Sequence, residues 1–417
     1  MSITRTDLET LDTADTLAPM RGLFDLPEGV VYLDGNSLGA LPKATVGRVA
    51  EVVQAEWGGG LIRSWNDAGW MAAPGRVGDK IARLIGGAPG TVMVADSTSV
   101  NLFKLLGAAL AARPGRRVIV SERGNFPTDL YIAEGLAALL APADGRGGHV
   151  LRLVEAEGIA AAIDEDVAVV MLTQVNYHTG AMHEMGAITR AAQAKGALVL
   201  WDLAHSAGAV PVDLAGCDVD LAVGCGYKFL NGGPGAPAFL YVAPRLQDSL
   251  RYPLTGWLGH AAPFAFEGGY RPGAGIVRTM VGTPPVLSLA ALEVGVDIAL
   301  RAPMELVRSK SVAQTTMFVA LLEQLAGPWG FRLVSPREAV RRGSQVCLAH
   351  EQAYAIMQAL IARGVIGDFR APDILRFGIT PLYTRYVDLW HAAEALRMVM
   401  ARGEWRDPRF RERRAVT

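Results

Sequence analysis

Asp202 and Lys228 stand 26 residues apart, the first at the end of a short apolar run, Ala197 to Trp201, and the second just beyond another, Leu221 to Gly224. Near-continuous apolar runs read as strands buried on both faces, and ligands of an open parallel sheet sit at the carboxyl ends of such strands. A lysine amine and a buried carboxylate at neighbouring strand ends suit one chemistry in particular. The amine can hold an aldehyde cofactor as a Schiff base, and the carboxylate can keep a pyridine nitrogen protonated so that the ring withdraws electrons. Pyridoxal 5'-phosphate is the cofactor with both needs. The attraction is mutual, because an Asp202 anion favours the pyridinium and the pyridinium lowers the pKa of the aspartic acid. Taken singly, Asp202 reads as a helix cap and Lys228 as a surface residue. Together, with GYKFLNGGPG around the lysine, they point to the cofactor. Gly232, Gly233 and Gly235 supply the tight backbone that lets the next strand approach the lysine loop.

A phosphate needs donors close by. Thr91 to Ala95 reads as a strand, Ser97-Thr98-Ser99 as a hydroxyl-rich turn and Val100 to Ala112 as a helix. Free amides and hydroxyls therefore gather at a helix N-terminus, which is an anion site, and Ser97 and Thr98 are the expected phosphate ligands. The ordinary alternative is a Ser/Thr N-cap. The strand from Arg117 to Ser121 runs into GNFPTD, which puts Phe126 on a loop where an aromatic ring can stack on a pyridine face. Thr173 ends the run Val167 to Leu172 and is placed to reach the cofactor's phenolic oxygen.

These strands alternate with amphipathic helical stretches from about Leu84 onward, with a last strand at Ala238 to Val242, so the fold class is α/β with a mainly parallel sheet. After Pro284 and Pro285 a helical pattern runs from Val286 through Ala302 and beyond. An α+β stretch follows, with strand-like pieces near Arg332 to Val334 and Ser344 to Leu348. Three parts are expected: an N-terminal segment, 1–45, packing on the small domain or a partner subunit; a large domain, 46–290; and a small C-terminal domain, 291–417. The 417 residues suit two or three domains. With 51% hydrophobic and 19% charged residues the chain can bury a core. A net charge of -1 argues against a nucleic-acid partner, which calls for a basic patch. The first thirty residues carry Asp7, Glu9, Asp12 and Asp15 and no apolar leader, and no later stretch approaches a membrane span, so a cytoplasmic protein is expected. Cys217, Cys225 and Cys347 match no zinc spacing and are read as reduced core residues, with no metal expected.

From about Val31 to the Arg385 region the chain resembles the kynureninase family. The resemblance rests on LDGNSLGALP (33–42), WGGGLIRSW (57–65), NFPTD (125–129), WDLAHSAG (201–208), GCGYKFLNGGPG (224–235), GWLGH (256–260) and RFGITPLY (376–383) taken jointly. It implies pyridoxal-phosphate fold type I, with a mainly parallel seven-stranded sheet in the large domain and a smaller α+β C-terminal domain. It also implies hydrolysis of L-kynurenine, and of its 3-hydroxy derivative, between Cβ and Cγ in tryptophan catabolism, giving the anthranilate and L-alanine. The resemblance assigns Lys228 to the Schiff base, Asp202 to the pyridinium, Tyr227 and His205 to the phosphate side, and Phe126, Pro127, Thr128 and Asp129 to the ring. Arg376 would clamp the substrate α-carboxylate with its planar fork. Ser37 and Trp65 would border the aromatic end. Trp257 and Thr283 would reach the phosphate of the neighbouring subunit, so the resemblance implies a homodimer with shared active sites. Lys228 is then the base at Cα, and Tyr227 the proton donor to the carbon released. Cysteine desulfurases and class V aminotransferases share the Asp and Lys arrangement and are the alternatives; a desulfurase would need Cys347 as an exposed, mobile nucleophile.

Overall fold

The computed structural model of the chain describes residues 2–142 and 147–413. Its main sheet has seven strands: β1 (Val92–Val94), β2 (Val118–Glu122), β3 (Val150–Val154), β4 (Val167–Thr173), β5 (Leu198–Asp202), β6 (Leu221–Gly224) and β7 (Phe239–Val242). Across the sheet the order is β1-β7-β6-β5-β4-β2-β3. Strands β2 to β6 are parallel to their neighbours among themselves, and β7 alone runs antiparallel, to both β6 and β1. The sheet is therefore mixed but mainly parallel, as expected. In β4 and β5 every residue is buried. Alternate residues feed two different cores: Val199 and Trp201 enter one, Leu198 and Leu200 the other. That alternation is the pleat of a strand covered on both faces.

Six of these strands fall within one residue of the apolar runs that predict them. The seventh, β3, has no such run. It is an edge strand, exposed at Val150 and half-buried beyond, and its Arg152 turns outward to Asp164 at 2.7 Å.

The described helices include α1 (Arg5–Thr13), α2 (Thr98–Ala111), α3 (Pro127–Leu139), α4 (Val286–Ala299), α5 (Met304–Ala326) and α6 (Tyr386–Ala401). The single helix expected from Val286 onward is in fact two, α4 and α5. Pro303 caps the second, and a proline disfavours helical backbone at the residue before it. A four-stranded antiparallel sheet follows: β8 (Arg332–Leu333), β9 (Gln345–Ala349), β10 (Asp368–Arg370) and β11 (Ile374–Gly378), in the order β8-β9-β11-β10. Its core gathers Phe318, Val346, Ile356, Leu375, Phe377 and Leu389.

The N-terminal segment packs into that same core through Leu8, Val31 and Leu33. Val31–Tyr32 pairs in parallel with Val365–Ile366. The Asp12 carboxylate accepts the first amides of α6, from Tyr386 at 2.6 Å and Val387 at 2.9 Å, so a side chain from α1 caps a helix far away in sequence. The segment then runs to the large sheet, where Gly39 N donates to Tyr227 O at 2.8 Å. A Cβ at Gly39 would lie 2.4 Å from Lys228 O and 2.5 Å from Asn231 Oδ1, so the glycine of GNSLG is required by close approach. Among the described residues no helix is long and apolar enough to cross a membrane.

Candidate active site

Strands β5 and β6 end side by side, at Asp202 and Gly224. Beyond β5 the Asp202 carboxylate turns the chain, accepting from Ala204 N at 2.7 Å. Beyond β6 the backbone passes through Cys225 to Lys228. The amine of Lys228 arrives 3.0 Å from His205 Nε2 and lies 5.9 Å from the Phe126 ring centre and 5.8 Å from that of Tyr227. A cavity of about 570 Å³ opens there, within the size range of small-molecule sites.

Ten of the residues predicted from sequence line this cavity: Ser97, Thr98, Phe126, Thr128, Asp129, Thr173, Asp202, His205, Tyr227 and Lys228. Pro127 is not among them; it fixes the first turn of α3, where a missing N–H costs nothing. Asp129, in that same turn, and Asp202 are both buried and joined by a hydrogen bond. Burial raises both carboxyls. The Asp202 charge raises Asp129 further, so Asp129 is the carboxyl held furthest above its ordinary range. Burial also holds the Tyr227 phenol far above its usual range, so it keeps its proton. His205 is driven the other way, well below its ordinary value, by burial first and then by Lys228 and two arginines. The resemblance assigns His205 to the phosphate side, yet its contact within the predicted set is with Lys228 Nζ.

The Ser97 hydroxyl caps α2, accepting from Val100 N at 3.3 Å. Asp96 precedes it in the left-handed region, at φ 50°, and is held by the buried Lys104 at 2.6 Å. Two buried polar atoms of lining residues have no partner: Thr173 Oγ1 and His205 Nδ1. A buried polar atom left unpaired costs on the order of 1–3 kcal/mol, so these atoms call for a ligand that supplies partners.

Arg376 and Ser37 are brought together in an adjoining cluster. Strand pairing sets Asp368 opposite Arg376. Arg376 donates through Nε and Nη2 to Asp368, through Nη2 also to Ser37 Oγ at 2.8 Å, and through Nη1 to Tyr177 O at 2.9 Å. Tyr177 ties this cluster to the cavity, which it lines, and its ring meets Phe126 edge-on with centres 5.2 Å apart.

Trp65, Trp257 and Thr283 lie outside the cavity. Trp65 stacks edge-on with Trp70 and lines an apolar pocket with Met71, Met93 and Leu258, so within one chain it does not border the Lys228 site. Trp257 borders a third concavity with Phe266 and Tyr270, and Thr283 is exposed. Among the residues sequence reasoning passed over, Tyr177 had a signal, since it follows β4 at the carboxyl edge of the sheet. Asp368 and Arg370 had none, because only the pairing of β10 with β11 brings them in.

A family model described as "Kynureninase C-terminal domain" matches residues 307–396. Over the whole chain the sequence is 53% identical to the kynureninase of Burkholderia pseudomallei (strain 1106a), covering 99% of this chain and all of that one. It is 52% identical to that of Pseudomonas fluorescens over the same shares. Among solved structures, a cysteine desulfurase of Thermococcus onnurineus NA1 superposes with TM-score 0.74 at 18% identity, covering 92% of this chain and 97% of that one. A variant of C-DES carrying glycine covalently linked to its PLP cofactor matches with TM-score 0.74 at 16% identity, over 95% and 99%. At such identities these structures share the fold, while the full-length relatives decide the family: the chain belongs to the kynureninases.

Proposed function

We propose that this chain hydrolyses L-kynurenine between Cβ and Cγ, giving anthranilate and L-alanine, with pyridoxal 5'-phosphate bound at Lys228. The observation that carries the reading is the Lys228 amine in a cavity backed by the Asp129 and Asp202 carboxyls, within a chain half identical to kynureninases over its full length. The residues present fit the cofactor. A protonated ring nitrogen answers the two buried carboxyls, and the unpaired Thr173 Oγ1 and His205 Nδ1 offer polar contacts. Ser97 and Thr98 at the start of α2 suit its phosphate. When bound, pyridoxal phosphate supplies an aldehyde for the lysine and a ring that withdraws electrons from the reacting carbons.

The protein's own groups then divide the work. Lys228 Nζ takes the proton at Cα of the substrate, and His205 Nε2 beside it orients the amine. Once water has added to the Cγ carbonyl and the Cβ–Cγ bond breaks, the aryl acyl group leaves as anthranilate, Tyr227, kept protonated by burial, gives a proton to Cβ, and Lys228 returns one to Cα to complete L-alanine. Asp202 and Asp129 keep the far end of the cavity negative. Arg376 faces the α-carboxylate, with Ser37 beside it. Trp257 and Thr283 would reach the phosphate of a second subunit's cofactor in a homodimer; their places away from the Lys228 cavity of their own chain support that reading. The division into 1–45, 46–290 and 291–417 is part of the same proposal, supported by the separate cores around the two larger sheets.

Cys347 offers desulfurase chemistry no exposed nucleophile. Cys347 is fully buried in β9, and burial pushes its thiol up to about 11. Offering L-kynurenine and L-cysteine side by side tests the choice: anthranilate from the first supports it, and L-alanine from the second, its sulfur left at the persulfide level, overturns it.

A further inference from the structure

Arg376 enters the cluster beside the cavity with its donors already committed. Of its five N–H groups, Nε and one on Nη2 go to the two oxygens of Asp368, the second on Nη2 to Ser37 Oγ, and one on Nη1 to Tyr177 O. One N–H remains, on Nη1. A carboxylate arriving from the cavity therefore cannot be taken by the guanidinium fork as long as Asp368 holds it.

Six residues earlier stands a second guanidinium. Arg370 Nη2 also reaches Asp368 Oδ2, at 2.6 Å, and Ser37 Oγ, at 3.3 Å. Its Nε is buried and has no partner. Its side chain is 36% exposed where that of Arg376 is 1%, so Arg370 is the member of the pair that opens outward. Its charge bears on His205, Tyr227 and Tyr177, all of which line the Lys228 cavity. The charges also leave room for an anion, since two arginines face one paired carboxylate, Asp368. The second acid nearby, Asp34, is pushed up to about 7, by burial first and then by Asp368, and so is only partly ionised near neutrality.

We propose that Arg370 is a second carboxylate-binding residue of the substrate site: the α-carboxylate lies between Arg370 and the last free N–H of Arg376, while Asp368 holds the two guanidinium groups together. This rests on the function proposed above, because an α-amino acid is the ligand. Asp368 is then a positioning residue. It fixes Arg376 rigidly, and it leaves one arginine free to meet the carboxylate as it arrives.

The test uses the full-length holoenzyme and Arg370→Gln, with Arg370→Lys as the variant that keeps the charge. Calorimetric titration with L-alanine, the amino-acid product, reads carboxylate recognition without turnover. Loss of one charge-assisted contact is expected to weaken L-alanine binding by about 10- to 100-fold. KM for L-kynurenine should rise in parallel while kcat changes little, and Arg370→Lys should recover part of the loss. Kynuramine, which is kynurenine without its carboxylate, should bind wild type and variant alike. Equal L-alanine affinity in wild type and Arg370→Gln overturns the inference, as does an equal loss for kynuramine, which would make Arg370 a packing residue. If the wild type forms no anthranilate, the function fails on its own, and the titrations with L-alanine and kynuramine still decide Arg370.

Discussion

Lys228 Nζ rests 3.0 Å from His205 Nε2, while the other ring nitrogen of that histidine is buried without a partner. Burial, then the neighbouring cations, hold the imidazole well below its ordinary pKa, so it stays neutral and accepts from the amine. An unperturbed histidine would titrate near pH 6.5, about the middle of the working range. His205→Gln should therefore lower the kcat/KM profile against pH without changing its shape. An acidic limb near neutrality that vanishes in the variant would contradict this.

Asp202→Asn should still bind the cofactor but turn over slowly, because an amide cannot keep the ring nitrogen charged. Removing one preorganised electrostatic partner costs on the order of 10²- to 10³-fold in kcat. Cofactor content by absorbance and kcat by anthranilate release separate binding from chemistry. Full activity in Asp202→Asn would remove the carboxylate from the mechanism.

Asp34 makes a prediction about stability. Its folded-state pKa of about 7 lies above the ordinary 3.8, chiefly through burial. The folded state thus holds its proton longer than the unfolded state does. The penalty is absent below pH 4, grows as pH rises from there, and is complete above about 7. Asp34→Asn removes it, so the variant should gain on the wild type at pH 8 by a few kcal/mol, on the order of the shift. Near pH 4 the two should melt together. Thermal unfolding at both pH values is the check, and a gain confined to low pH would reverse the sign and refute it.

Gly39→Ala probes the seam between the N-terminal segment and the lysine loop. The added methyl meets backbone, Lys228 O at 2.4 Å, and cannot swing aside. Overpacking of this kind costs about 1–3 kcal/mol, and here it displaces the catalytic loop as well. Denaturant midpoints and cofactor retention should both fall. Unchanged values would mean that the loop yields freely.

Much of the fold was legible because buried parallel strands are written as apolar runs. Trp201 and Leu200 face opposite cores, yet both are apolar, so β5 stands out from its surroundings. The edge strand β3 escaped because one side meets solvent and Arg152 breaks its run. The Lys228 side of the site was equally legible, since Asp202, His205, Tyr227 and Lys228 come from adjacent strand ends. The carboxylate side was not. Ser37 and Arg376 are separated by most of the chain, and Asp368 and Arg370 meet them only through a two-strand register that local pattern does not encode. Trp65 reads as a neighbour of the site by motif, but the pocket it lines is another one.

The most direct measurement compares wild type and Lys228→Ala, each reconstituted with pyridoxal phosphate, for anthranilate fluorescence from L-kynurenine. The account predicts steady anthranilate release by the wild type and none above background from the variant, although the variant retains its fold. Comparable turnover by Lys228→Ala, or a cofactor-loaded wild type that leaves L-kynurenine intact, would contradict it.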